Sequence, residues 1–363
     1  MRHTTLLATI GLASTATAAI VLPLEGLRFS PSEGMSLQKT YTVETDAELD
    51  DLSLLISGQD LGAMFAPSMA ISASSEVTFT DVYTSVADGR PSKLERTFDT
   101  LANEMSMSME MMGESQEEGS ETSSPLEGQT IVFTWDDDAG EYGIEYADDS
   151  AGDEDLLADL EEDTDMRWLL PGDDVSVDDS WDFDPAKMQH LLAPSGNLQW
   201  EAEGVDDADM EEFEEMFGQF TDRAMEEAKK LLEGDSTATF LGAREVDGRQ
   251  VGVVGIAVEI GSSADFASMM QEIIETAVEE SGEEVPDDFE VYVEAADISL
   301  DVESEGEMMW DMETGTLYGM NMSADFEMAI DLVVSMTAEG DSQDLEVSAA
   351  FSGVMTAGVE TER

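Results

Sequence analysis

The side chains that most often carry catalysis are scarce in this sequence. It contains two histidines and no cysteine, and His3 falls in a segment that we expect to be removed, which leaves His190. A Ser-His-Asp triad would need His190 as its base, yet Ser195 lies on a Pro-Ser-Gly turn and not on the sharp strand-to-helix turn that presents a nucleophile. A zinc site built from carboxylates and one histidine is uncommon. We therefore predict no catalytic residue and a place for His190 on the surface or at a helix end.

Carboxylates, in contrast, are abundant: 85 Asp and Glu stand against 14 Lys and Arg, a formal net charge of -71. Counting alone leaves open a carboxylate pair for glycoside hydrolysis. Calcium suits such side chains better, because hard cations take carboxylate and carbonyl oxygens. The stretch Asp136–Glu145 fails the EF-hand pattern, since Gly140 stands at its fifth position and not its sixth. Weak, loop-bound calcium stays open, no other cofactor is predicted, and most acids are expected to form a solvated coat.

Methionine is the most distinctive residue type, with 24 copies in the chain. Four thioethers on one strand face could bind Cu(I) in an exported protein. Flexible, polarizable methionine also lines adaptable apolar pockets, and it fills ordinary cores. The sequence leaves these three interpretations open. The candidate apolar ligand face consists of Met105, Met107, Met109, Met111, Met320, Met322, Met328 and Met336.

The first 19 residues have the pattern of a secretory signal peptide, with an apolar run at Leu6–Ala13 and small residues at Ala16–Ala19. Their removal takes away Arg2 and no acid, so the net charge changes from -71 to -72. Such a surface repels nucleic acid, which we exclude as a partner. No later stretch has about 18 continuous apolar residues, which predicts a soluble protein without a membrane span, in the periplasm or outside the cell.

Alternating apolar residues predict strands through most of the chain. The pattern is longest at Tyr318–Met336, where every even position is apolar. Asp206–Glu233 and Ala264–Ser281 have apolar residues at helical spacing and are predicted helices. The same spacing predicts a helix at Ala47–Ile56, and the acidic Gly113–Glu121 is expected to be a mobile loop. The predicted fold is α+β, with duplicated, mostly antiparallel β-sheet units covered by amphipathic helices.

Two features recur along the chain in the same order, which suggests an internal duplication. The turn Asp88-Gly89-Arg90 has a counterpart at Asp247-Gly248-Arg249, and the Trp135 motif has one at Trp310. In each Trp-Asp-x-x-x-Gly unit the acid is expected to open a turn and the glycine to supply a positive φ. The predicted organisation is a signal peptide at 1–19, a first β-rich unit at 20–147, an acidic linker with a central hairpin at 148–205, and a second β-rich unit with two helices at 206–363.

The central stretch Leu170–Phe183 is predicted to form that hairpin, with alternating apolar residues on either side of a tight turn. Together with Ala238–Gly242 and Trp310–Leu317, it resembles an uncharacterised family of exported bacterial proteins that have a V-x-V-G-D-S-W-like motif. This sequence has Asp178 where that family usually has Gly. The resemblance implies structural signatures and no known activity. The structural motif residues are Val175, Val177, Asp179, Ser180, Trp181, Trp135, Asp136, Gly140, Trp310, Asp311 and Gly315.

These observations favour an exported, non-catalytic protein that binds a partner or maintains the envelope. The alternative is a carrier of lipid or another apolar molecule, held between the sheet and the helices. A carboxylate-dependent enzyme is the third hypothesis. The expected partner is thus an unknown protein or an apolar ligand. Open apolar volume beside the methionine faces would favour a carrier, and a filled core would favour an interaction module.

Overall fold

The computed structural model describes residues 27–60, 68–111, 114–147, 152–202, 230–280, 290–338 and 341–363. Within these ranges the strands form one sheet, and every pairing between them is antiparallel. The long strands have 20 to 23 residues, so each extends roughly 70 Å. The strands are β1 (Met35–Ile56), β2 (Gln59–Asp60), β3 (Ser68–Ala87), β4 (Arg90–Met111), β5 (Glu114–Ser123), β6 (Thr130–Asp136), β7 (Glu141–Tyr146), β8 (Ser180–Asp182), β9 (Glu201–Ala202), β10 (Gly234–Val246), β11 (Arg249–Asp265), β12 (Glu290–Asp311), β13 (Thr316–Ala338) and β14 (Asp341–Glu362).

The first and last long strands meet in the middle of this sheet. The order is β7-β6-β4-β3-β1-β14-β13-β12-β11-β10-β8, with β2 on β1, β5 on β4 and β9 on β5. Six of these ten neighbouring pairs are also consecutive strands in the sequence. The pairing of β1 with β14 joins the two ends of the chain through eighteen residue pairs from Gln38↔Glu362 to Ile56↔Leu345.

The predicted α+β class is wrong, because the described chain is almost entirely antiparallel sheet. Residues 47–56 continue strand β1, and a β-bulge between Leu49 and Asp51 explains the misleading spacing. The bulge places Leu49 and Leu52 on the same face although they are three residues apart, which imitates a helix. The predicted loop Gly113–Glu121 is also mostly strand, since β5 pairs with β4 from Met111↔Glu114 to Ala102↔Ser123.

Helices cover little of the described sheet. The predicted helix Asp206–Glu233 lies outside the described residues up to residue 229. Ala264–Ser281 corresponds to α2 (Ala267–Glu280), whereas α1 (Gln189–Leu192) is a single turn. Short 3-10 helices occur at Glu154–Leu157, Arg167–Leu169 and Pro185–Met188. Helix α2 follows the buried Phe266 and packs at one end of β12 and β13, where Val293 and Val334 are buried.

Residues 152–202, which we call the central segment, connect the two edges of the sheet. At one edge β8 pairs with β10, and the Ser236 hydroxyl donates to the carbonyl of Phe183. At the other edge β9 pairs with β5, and the Ser124 hydroxyl donates to the carbonyl of Leu198. Leu157, Leu169, Leu191 and Leu198 of the central segment belong to the same buried core as the strands. This segment therefore closes one end of the sheet.

The predicted central hairpin does not form. Val175 and Val177 lie in irregular chain, and only Ser180–Asp182 is strand, paired with β10. The reason is that β10 supplies the hydrogen bonds: the Asp178 amide donates to the Phe240 carbonyl at 2.8 Å, and the Phe240 amide donates to the Asp179 carbonyl at 2.9 Å. Asp178 has a φ of 73°, a left-handed conformation that glycine adopts without strain.

The two Trp-Asp-x-x-x-Gly units form turns of the same kind. Asp136 Oδ1 accepts hydrogen bonds from the amides two and three residues later, and Asp311 Oδ1 does the same. In both turns the glycine amide donates to the Asp carbonyl at 2.8 Å, and Gly140 and Gly315 have φ values of 76° and 61°. These turns join β6 to β7 and β12 to β13. The internal duplication itself stays a prediction.

Candidate functional site

Side chains on one side of the sheet, here called the inner face, align in rows that cross seven strands. The registers give four successive rows, and their order leads away from the closed end. The first row is Leu101, Val77, Tyr41, Val359, Met320, Met308 and Val254; the second is Asn103, Ser75, Val43, Ala357, Met322, Gly306 and Ile256; the third is Met105, Ala73, Thr45, Met355, Ala324, Ser304 and Val258; the fourth is Met107, Ile71, Ala47, Gly353, Phe326, Val302 and Ile260.

Burial along these rows is unequal. All members of the first row are at most 3% exposed. In the third row Ala324 and Val258 of the C-terminal strands are buried, whereas Ala73 and Thr45 are half-buried and Met105 is 53% exposed. We call the residues of rows two to four on β4, β3 and β1 the open half of the inner face. An apolar surface thus continues out of the sealed core and becomes accessible.

A pocket of about 240 Å³ lies over the open half. The pocket is open to solvent on one side. The pocket has depth because Ala73, Ser75 and Thr45 are small where longer side chains would fill the space. Its lining mixes apolar and hydrogen-bonding groups: Val43, Thr45, Ala73, Ser74, Ser75, Asn103, Glu104, Met105, Ser120 and Thr122.

The methionines of the candidate ligand face occupy different surroundings on this one face. Met320 and Met322 are 3% and 7% exposed and belong to the sealed core. Met328 and Met336 are half-buried further along β13, and Met105, Met107 and Met109 lie on β4 in and beyond the open half. Met111 ends β4. Since β4 and β13 are four strands apart in the sheet order, the two sets are separated by roughly 19 Å.

The opposite, outer face is lined by carboxylates that stand opposite one another. Glu303 pairs in register with Asp325 and also with Glu259, and Asp301 pairs with Glu327. Like charges directly opposite on neighbouring strands destabilise a sheet. Among the described residues, no group of three His, Cys, Asp or Glu side chains is arranged to hold a metal ion. Weak calcium binding by the acidic loops stays a prediction.

At the closed end, a buried ionic network joins the central segment to the sheet. It consists of Lys39, Asp81, Arg96 and Asp165, each at most 1% exposed, together with Thr164. Lys39 Nζ lies 3.0 Å from Asp81 Oδ2 and 2.9 Å from Asp165 Oδ1. Arg96 binds Asp81 with two hydrogen bonds, of 2.7 Å from Nε and 3.0 Å from Nη2. Two cations therefore face two anions in a site from which water is excluded.

Arg96 also anchors the central segment through its backbone. Its guanidinium donates to the carbonyls of Glu161 and Glu162 at 2.9 Å each, and to the Ser195 hydroxyl at 2.7 Å. The same guanidinium lies 4.6 Å from the centre of the Phe79 ring. Burial alone would raise the pKa of Asp81, but the charges of Arg96 and Lys39 outweigh it and lower that pKa. The network is thus a fixed structural connection between sheet and central segment.

Glu162, beside this network, has an unusual carboxyl group. Burial raises its pKa to about 7, against the opposing effect of the neighbouring Arg167. Its Oε2 pairs with Arg167, whereas Oε1 has no hydrogen-bond partner among the described residues. Arg167 also pairs with Asp163, whose Oδ1 lies 3.0 Å from Arg167 Nε. The site of Glu162 therefore favours a neutral carboxyl at a pH where an ordinary glutamate is charged.

Sequence reasoning missed the network, although the signal was present. Lys39 and Arg96 stand at positions whose alternation places them with Leu37, Tyr41, Leu94 and Phe98 on the apolar face. A charged residue in the buried phase of a strand requires a buried partner. The partners Thr164 and Asp165 come from the acidic stretch that was predicted as linker, some 125 residues later in the chain.

His190 and Ser195 are both occupied by structural contacts. His190 Nδ1 lies 2.6 Å from Glu161 Oε2, and the His190 ring is 6.2 Å from that of Trp168. The Ser195 hydroxyl accepts from Arg96 and donates to the Glu161 carbonyl at 3.2 Å. The two side chains thus contact different groups of Glu161, its carboxylate and its backbone carbonyl, and the geometry does not present them as a nucleophile and its base.

Comparison with known proteins gives remote likenesses only. No known protein family and no curated protein sequence matches the chain. Among solved structures it is similar to the outer membrane protein OprG from Pseudomonas aeruginosa, with 6% identity, coverage of 92% of this chain and 99% of that one, and a TM-score of 0.18. It is also similar to the transport unit of the autotransporter AIDA-I from Escherichia coli, with 10% identity, coverage of 95% and 94%, and a TM-score of 0.16.

At these TM-scores the likenesses carry no argument about function. The predicted absence of a membrane span is withdrawn, because the described chain is almost entirely strand. That prediction was argued from apolar helices, which says nothing about a chain of strands. In the described residues, none of the helices is both long and apolar enough to cross a membrane.

Proposed function

We propose that this protein is an exported, non-catalytic component of the cell envelope that binds an apolar or amphipathic molecule on the open half of its inner face. The observation that carries the proposal is the pocket of about 240 Å³ where the apolar rows leave the sealed core. Ligand sites are concave, largely apolar and provided with a few polar groups that orient the ligand. Val43, Ala73 and Met105 supply the apolar lining, and Asn103 and Ser75 supply the polar groups.

The unequal burial of the face supports binding over plain packing. A side chain that serves only as core is expected to be buried, as Met320 is at 3% exposure. Met105, in the third row, is 53% exposed although it points to the same face. When a methionine side chain stays exposed, the protein does not gain the free energy that burying its apolar area would provide. A bound ligand would recover that free energy by covering the side chain.

The test uses Nile red, an uncharged apolar dye, and a variant that fills the pocket. Ala73→Trp places a large side chain between Thr45 and Met105, its neighbours in register, and is expected to weaken dye binding at least tenfold. Ser106→Trp is the matched control, because Ser106 is exposed, follows Met105 and points to the outer face. Fluorescence titration measures the affinity, and thermal melting of both variants verifies that they are folded.

Equal dye binding by the parent protein and Ala73→Trp would contradict the proposal, because the dye would then bind elsewhere. Absence of dye binding by the parent protein would contradict it as well. In native mass spectrometry of protein purified from the envelope, the proposal predicts a bound apolar species that Ala73→Trp lacks.

A further inference from the structure

Met105 is the most accessible of the methionine side chains that the structure describes. It is 53% exposed, whereas each of the others is half-buried or buried. The reason lies in its neighbours, since the strand register places Ala73 on one side of Met105 and Ser120 on the other. Both side chains are too short to cover a thioether. The sulfur-bearing side chain therefore faces solvent in the lining of the pocket.

A thioether in this position is open to oxidation. The chain has no cysteine, so methionine supplies all of its sulfur groups. Methionine reacts with hydrogen peroxide to give the sulfoxide. One peroxide oxygen forms the S–O bond, the O–O bond breaks, and the other oxygen leaves as water, so that sulfur loses the two electrons that the peroxide gains. Because the oxidant must reach the sulfur, Met105 should react before Met308, Met320 and Met322, which are 0%, 3% and 7% exposed.

Oxidation would change what the pocket can bind. It converts a flexible apolar side chain into a polar one, whose oxygen accepts hydrogen bonds. Met105 supplies the apolar lining together with Val43 and Ala73. An apolar ligand offers no hydrogen to the new oxygen, and covering that oxygen would remove its hydration at a cost in free energy. The sulfoxide therefore opposes the ligand that the thioether favours.

We propose that Met105 is an oxidation site that regulates the pocket: the thioether form binds the apolar ligand, and the sulfoxide form releases it. This inference rests on the proposed function and specifies the regulation of the same site. Two facts about one residue carry it, because the methionine most accessible to an oxidant is also part of the pocket lining. The change is reversible, since methionine sulfoxide reductases return the sulfoxide to the thioether. A dithiol supplies the two electrons and becomes a disulfide, and the oxygen leaves as water.

The test follows oxidation and dye binding in the same samples. The full chain is treated with hydrogen peroxide for increasing times, the peroxide is removed with catalase, and Nile red is titrated by fluorescence. Peptide mass spectrometry after pepsin digestion locates each sulfoxide. We expect Met105 to be oxidised at least about tenfold faster than Met320 and Met322. The affinity for Nile red should fall about fivefold as the sulfoxide of Met105 accumulates. Methionine sulfoxide reductases with dithiothreitol should restore it.

Two leucine variants locate the effect, because leucine is apolar, similar in size and unable to form a sulfoxide. Each variant is compared with itself before and after peroxide. Met105→Leu is expected to keep its initial affinity for Nile red after the treatment. Met320→Leu is the matched control and should lose affinity as the parent protein does, since it retains Met105. Met105→Gln places a permanent polar group in the pocket and should bind Nile red more weakly than Met105→Leu without any oxidant.

The possible failures are distinguishable. If the untreated parent protein does not bind Nile red, the proposed function fails and the inference with it. If the parent binds the dye and complete oxidation of Met105 leaves the affinity unchanged, the inference is wrong and the proposed function stands. The same holds if Met105→Leu loses affinity as the parent does, because other methionines would then be responsible. Loss of the strand signal in the circular dichroism spectrum of the oxidised parent would also overturn the inference, since unfolding would explain the loss of dye.

Discussion

Replacing Asp81 with Asn tests whether the buried ionic network holds the central segment to the sheet. Asp81 accepts hydrogen bonds from Lys39, from two nitrogens of Arg96 and from the Thr164 hydroxyl, at 2.7 to 3.1 Å. Asn keeps the shape of the side chain and removes its charge. Two buried cations would then face a single buried anion, Asp165, and the amide group of Asn would direct hydrogens towards one of them.

The expected loss follows from the burial of every partner. Removing one member of a buried ion pair typically costs about 3–5 kcal/mol, because the remaining charge stays buried without compensation. Lys39, Asp81 and Arg96 are 0% exposed, so water cannot enter without opening the site. The free energy of unfolding of a domain is about 5–15 kcal/mol, and Asp81→Asn should thus remove a large fraction of it.

Urea denaturation followed by tryptophan fluorescence measures this loss by linear extrapolation. Hydrogen exchange adds a local measurement, since the amides of residues 161–167 should exchange faster in the variant than those of the β12–β13 hairpin. Glu307→Gln is the control: the Arg244–Glu307 pair at 3.0 Å is exposed on both sides, and its loss should cost at most about 1 kcal/mol. A cost below about 1 kcal/mol for Asp81→Asn, with unchanged exchange, would refute the role of the network.

Three further predictions follow from the same structure. Glu162 has a pKa of about 7 in the folded protein, so its carboxyl stabilises the fold below pH ~4.5 and progressively less as the pH rises to 7. Glu162→Gln should therefore gain stability relative to the parent between pH 5 and pH 8, by about 3 kcal/mol, and a pH-independent difference in urea titrations would contradict this. The melting temperature should rise between about 0.01 M and 0.15 M salt, because screening weakens the repulsion of the facing carboxylates; a flat response by calorimetry would indicate bound cations, which a chelator would remove. Met328→Ala should cost about 1 kcal/mol, whereas the buried Met320→Ala should cost about 2–5 kcal/mol; equal costs in urea titrations would contradict the difference in packing.

The strand content could be predicted from the sequence where alternation is unbroken. The period of two from Tyr318 to Met336 is local, because successive side chains of a strand point to opposite faces wherever the strand lies. β13 accordingly spans Thr316–Ala338. The turns at Gly140 and Gly315 are local as well, since their Asp side chains bind amides two and three residues away.

Tertiary contacts decided what alternation cannot determine. The spacing at Ala47–Ile56 suggested a helix because a β-bulge changed the phase, and the bulge exists only through pairing with β14, some 300 residues away in sequence. The central hairpin failed for a related reason, because β10 offered Asp178 and Asp179 better hydrogen-bond partners than the preceding valines could.

The position of the candidate site depended most on the tertiary structure. The sequence by itself determined that the protein is strongly acidic, has no cysteine and is rich in methionine, and it placed those methionines on strands. It could not determine which of them are sealed, because Met320 and Met105 have the same local pattern and differ only in what covers them. The network of Lys39, Asp81 and Arg96 closes one end of the inner face, since buried charges require partners from distant segments, and the part of the face it leaves open became the candidate site.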